Sequence, residues 1–127
     1  MNNSRFKSYR MKNVYDVYIQ ACLQCVIACN NCTVACLNEP EVKGLARCIQ
    51  LNLECAAICK AATELMTLQS TFSGPLIELC MDVCNDCAAE CGLHASMGME
   101  HCRICAEACL HCASVCSTLP DLGEVIQ

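Results

Sequence analysis

Residues 21–36, ACLQCVIACNNCTVAC, hold five cysteines at alternating intervals of three and four, and residues 102–116, CRICAEACLHCASVC, repeat the spacing. A helix turns about 100° per residue, so positions three and four apart share one face. Cys22, Cys25, Cys29, Cys32 and Cys36 then fall within an arc of about 80°. Cys102, Cys105, Cys109, Cys112 and Cys116 do the same. Cys80, Cys84, Cys87 and Cys91 form a third stripe, and Cys48, Cys55 and Cys59 a fourth, in which Asn52 takes the place of a cysteine. These are the inward positions of helices that pack on partner helices.

Breakers separate the four stripes. Asn13 and Asp16 resemble an N-terminal cap pair opening a first helix that runs to about Leu37. Pro40 suits the first turn of a second helix reaching about Leu68. Ser73-Gly74-Pro75 opens a third, which ends near Gly92. Ser96 can cap a fourth, which stops before Pro120. No stretch alternates as a strand does. The fold class is therefore all-α, an antiparallel up-down-up-down four-helix bundle with a cysteine-lined core. Residues 13–118 form the bundle, 1–12 a basic flexible tail and 119–127 a C-terminal tail.

Aromatic residues make up only 4% of the chain and Cys supplies 17 of its 127 residues, so sulfur stands where a core of this size uses Leu, Ile, Phe and Val. Cysteine is a small hydrophobe and one or two would pass as core filling. Seventeen on the seams do not. Such a content ordinarily marks a secreted disulfide scaffold. Residues 1–12, MNNSRFKSYRMK, have no apolar core of a secretory signal, which favours a cytoplasmic place with reduced thiols, and an odd count cannot pair completely. Residues 17–38 form an uncharged run of membrane-spanning length, but Gln20, Gln24, Asn30, Asn31 and Thr33 are too polar to face lipid. Four of the eight basic residues lie in the first twelve, leaving four basic against 13 acidic residues in the body. An acidic body argues against nucleic acid as the partner.

Sulfur-rich sites select Cu(I), zinc or iron–sulfur clusters. Zinc takes isolated sets of four ligands, and unbroken stripes do not divide into fours. The C-x2-C-x2-C-x3-C-P run of bacterial iron–sulfur proteins and the C-x-x-C-H of haem attachment are missing. A thioredoxin-like motif needs strands. Cu(I) fits best: if each ion takes two sulfurs and each sulfur bridges two ions, loading approaches about one ion per cysteine. Equal numbers of thiolate and Cu(I) leave the core nearly neutral, whereas bare buried thiolates are prohibitively costly. A thiol oxidoreductase or iron–sulfur electron carrier stands as the alternative, and a zinc-binding or disulfide-stapled structural bundle as a second.

The repeated "CLQCVIACNNCTVAC" and "CRICAEACLHCASVC", with "LARCIQLNLECAAIC" and "CNDCAAECGLH", resemble the cytosolic copper storage proteins of the Csp family over residues 14–118. The resemblance implies a non-enzymatic four-helix bundle that stores many Cu(I) ions in its core, commonly as a homotetramer. Exported members carry a twin-arginine signal; its lack here implies the cytosolic branch. The N-terminal tail is longer than in the shortest members. Partners are then copper ions, copper-donating or copper-accepting proteins and further copies of the chain, with no membrane.

His94 follows Cys91 by three residues and His101 precedes Cys102, with Met97 and Met99 in the turn between them. All four collect at one thiol-lined mouth, where they are candidate ligands for an entering ion. His111 points away from its helix's cysteines. Tyr15, Tyr18, Met66 and Leu76 continue the seams without thiols and read as an apolar plug at the other end. Leu23, Ile27 and Val34 form a second apolar strip on the first helix and suggest an oligomer contact.

Overall fold

The computed structural model describes residues 13–119. The expected tails, 1–12 and 119–127 apart from Leu119, lie outside the described residues. Four helices follow in order: α1 Asp16–Leu37, α2 Ala46–Thr67, α3 Ser73–Ala95 and α4 Glu100–Cys116, with a 3-10 turn at Val42–Leu45. Among the described residues there is no strand. Each helix packs on its neighbours in the chain, and α4 closes back on α1, giving the expected four-helix bundle.

All 17 cysteines are buried, and buried alanines flank them: Ala21 on α1, Ala56 and Ala62 on α2, Ala88 on α3, Ala106 and Ala113 on α4. Small side chains let the four backbones approach closely, so one column of sulfur fills the centre. The bulkiest fully buried side chains, Tyr15, Leu45 and Met66, sit near helix ends. α1 has the length and apolarity of a membrane span, but its cysteine face is turned into the bundle.

Helix ends depart from the sequence reading in three places. Asn13 does not cap its own helix. Its Oδ1 accepts the Tyr15 N–H at 2.9 Å, while its Nδ2 donates to the Met66 and Thr67 carbonyls at 3.1 and 3.3 Å. The side chain thus ties the start of α1 to the end of α2 instead of satisfying α1's own N–H groups. Pro40 lies in a turn, not in the first turn of the second helix, because the chain first crosses the end of the bundle and tucks Leu45 inside before α2 begins. Ser96 closes α3 rather than opening α4, donating its N–H to the Gly92 carbonyl. Gly98, at φ +96°, then reverses the chain: its N–H bonds Ala95 O and the Met99 N–H bonds His94 O. That paired bonding is a Schellman end. Gln69, at φ +52°, does the same for α2 without a glycine, with Gln69 N–H on Met66 O and Ser70 N–H on Leu65 O.

Candidate metal centre

Each stripe delivers its sulfurs to the bundle axis, where the thiols meet across helices. Cys48 and Cys91 approach to 3.4 Å, Cys59 and Cys80 to 3.5 Å, and Cys55 and Cys84 to 3.6 Å. Cys25 lies within 3.8 Å of both Cys84 and Cys109. All are free thiols, far beyond the S–S bond length of about 2.05 Å.

Sulfurs around one metal, at about 2.3 Å each, stand at most about 4.6 Å apart. Groups whose ligand atoms all lie within 4.8 Å of one another recur along the axis. Cys22, Cys59, Cys80 and Cys112 form one, with a sulfur from every helix. Cys25, Cys55, Cys59 and Cys84 form the next, then Cys25, Cys29, Cys55 and Cys109, then Cys29, Cys87, Cys105 and Cys109. Successive groups share members: Cys59 links the first two, Cys25 and Cys55 the second and third, Cys29 and Cys109 the third and fourth. Sulfurs that belong to two sets are placed to bridge ions. Cys116, near the end of the bundle away from His101, is buried with the rest.

The mouth has its own set, Cys32, Cys36, Cys102 and His101. The His101 Nδ1 lies 3.5 Å from Cys102, 3.7 Å from Cys32 and 3.8 Å from Cys36, while its Nε2 meets Glu39 Oε1 at 3.2 Å. The expected pairing of His94 with His101 divides here. His94 is buried, but its Nε2 goes to Glu90 Oε2 on its own helix at 2.9 Å. Every imidazole–thiol hydrogen bond among the described residues is made by His101. Met99 packs against the core, whereas Met97 is 68% exposed. His111 is exposed, as its phase on the helix requires.

Asn52 is more than a gap in a stripe. It is fully buried, and its Oδ1 accepts the thiols of Cys87 at 3.1 Å, Cys105 at 3.3 Å and Cys91 at 3.5 Å. Its Nδ2 donates to Cys48 Sγ at 3.8 Å. Sequence reading put cysteines from the other helices in this layer, but periodicity says nothing about an amide oxygen collecting their protons. A polar side chain on an otherwise apolar seam was the available signal.

Burial favours the neutral thiol, because a thiolate loses its hydration. At the mouth it pushes Cys36 up to about 11, helped by the neighbouring Cys32, and it raises Cys102 as well. Metal must therefore displace protons from these sulfurs.

Fold and site together define a thiol-lined helical bundle shaped to hold a string of soft metal ions. The family model described as copper storage protein matches residues 11–121, and the chain belongs to that family. It is 39% identical over 109 residues to the cysteine-rich protein YhjQ of Bacillus subtilis (strain 168), covering 86% of this chain and 98% of that one. Its structure is similar to that of the Cu(I)-bound copper storage protein BsCsp3, with 39% identity, TM-score 0.78, and coverage of 84% of this chain and 98% of the other. It is also similar to a cytosolic copper storage protein from Streptomyces lividans carrying five coppers, with 38% identity, TM-score 0.75, and coverage of 79% and 86%.

Proposed function

We propose that this chain stores and buffers Cu(I) as a string of ions bridged by the thiolates of its 17 cysteines, with His101 as an outer ligand at the mouth. The observation that carries this reading is the overlap of the sulfur groups. Isolated zinc sites would not share ligands, whereas Cu(I) accepts few thiolates and lets each bridge. Burial of every cysteine supports storage over catalysis, because a thiol oxidoreductase needs an accessible thiolate. The likeness to the Streptomyces lividans protein, described as cytosolic, supports a cytosolic place.

Ions enter and leave at the mouth. Cys36, Cys48, Cys91 and Cys102 are its outermost sulfurs, and His101 receives an ion there before thiolates take it inward. Neutral imidazole binds without first losing a proton and more weakly than thiolate, so it passes the ion on. His94, Met97 and Met99 line the same mouth. Exposed Leu23, Ile27 and Val34 on α1 support association with further copies, in keeping with a homotetramer.

Anaerobic titration of the reduced protein with Cu(I) tests the reading. Uptake approaching about one ion per cysteine is expected. Saturation at one or two iron clusters, or turnover of a disulfide substrate, would reject it.

A further inference from the structure

We propose that Glu39 is the positioning residue of the mouth, holding His101 in the tautomer that presents a bare Nδ1 to the sulfurs. The proposal rests on His101 acting as a copper ligand, and it names what makes that imidazole ready. An imidazole between a thiol cluster and solvent has two neutral forms, and only one leaves Nδ1 unprotonated. A carboxylate accepts hydrogen bonds and donates none. With Glu39 Oε1 3.2 Å from Nε2, the proton belongs on Nε2, and the Nδ1 lone pair is left toward Cys32, Cys36 and Cys102. Partners of this kind fix the tautomer and ring orientation of metal-binding histidines.

The position of Glu39 is set by the local chain. Its N–H bonds the Cys36 carbonyl at 3.1 Å, just after the last turn of α1, so it is tied to the backbone of a mouth cysteine. Pro40 follows and disfavours helical geometry at the preceding residue, which ends α1 here and turns Glu39 across the bundle end toward α4. The contact spans 62 positions of sequence, so neither helix alone could place it. The Glu39 side chain is 34% exposed, and His101 is 23% exposed. Removing this carboxylate therefore opens no cavity in the core.

His94 sits beside Glu90 in a superficially similar pair. That pair lies within one helix, four residues apart, and makes no imidazole–thiol hydrogen bond. It serves as an internal control for the effect of a carboxylate without thiols.

The test uses the full, reduced, metal-free chain labelled with 15N. Two-bond correlations of the imidazole nitrogens should show His101 protonated on Nε2, and Glu39→Leu should shift it toward a mixture of tautomers while His94 stays as it was. In the same variant, Cu(I) uptake and removal by a chelator should slow by about tenfold or less, with capacity unchanged. The double variant Glu39→Leu with His101→Ala should be no slower than His101→Ala alone, because Glu39 acts only through the imidazole. A His101 already protonated on Nδ1, an unmoved tautomer in Glu39→Leu, or additive slowing in the double variant would each overturn the proposal. Unaltered rates in His101→Ala alone would instead remove the ligand role of His101, and the tautomer result would still report on the Glu39 contact.

Discussion

The two ends of the bundle share one architecture and opposite chemistry. At the mouth the last sulfurs, Cys36 and Cys102, meet an imidazole that is itself backed by a partly exposed carboxylate. At the other end Tyr15, Met66 and Ile77 are buried in the same core as Cys22, Cys80 and Cys116, with Tyr18 and Leu76 packed against that core. The Asn13 side chain fastens that end by bonding two carbonyls of α2. A small cation moves where it can exchange one ligand for the next, and at this end the buried Tyr15 ring and Ile77 supply no thiolate or imidazole to continue that sequence. The contrast between an end that carries an imidazole and an end that carries none is what supports the proposed direction of copper entry.

The largest way to break the comparison is to open the closed end. Met66→Ala should destabilise the metal-free protein by about 2–5 kcal/mol, since Met66 is fully buried. The same variant should speed removal of copper by a chelator. Thermal unfolding measures the first effect and chelator kinetics the second. Unchanged kinetics in a folded Met66→Ala variant would show that the plug does not control access.

The reciprocal change at the mouth should do the opposite. His94→Ala with His101→Ala should leave copper capacity nearly unchanged and slow both uptake and removal by about tenfold, or about 1.4 kcal/mol in the barrier. Faster exchange after Tyr15→Ala and Tyr18→Ala, with unaltered rates in the histidine variant, would move the entrance to the other end.

Acid–base behaviour separates empty from loaded protein. In the metal-free state the Cys36 thiol is raised from 9.0 to about 11, so the folded chain holds a proton that the unfolded chain releases sooner. The stability this contributes is complete below about pH 9 and is lost as pH rises through about 11. Melting temperature of the reduced, metal-free protein should fall across that window. In the loaded protein the thiols have already lost their protons, so its melting temperature should change less. Equal slopes would mean that the mouth thiols stay protonated with copper bound.

The smallest expected effect lies between the ends. Asn52→Cys should add about one copper at most, because the new sulfur joins a layer already served by Cys87, Cys91 and Cys105. Loss of several copper sites in that variant, read by metal analysis after gel filtration, would assign the amide an organising role.

The spacing of the cysteines was enough to establish four helices, the burial of every thiol and the bundle they form, because 100° per residue leaves a three-four repeat only one face to occupy. Burial of Tyr15 and Met66 followed the same logic, as both continue the phase of the stripes. Tertiary structure decided what periodicity cannot express, namely the register of one helix against another. That register overlaps the sulfur groups so that Cys25, Cys29, Cys55, Cys59 and Cys109 each belong to two of them. It brings His101 to three thiols while His94, three residues beyond Cys91 on the same stripe, turns to Glu90. It also makes Asn52 an acceptor for thiols on α3 and α4. The connections between helices set that register, through the 3-10 turn before α2 and the left-handed Gln69 and Gly98. A helix's own sequence specifies the face it buries; the height at which each side chain meets its partners depends on where the neighbouring helices begin.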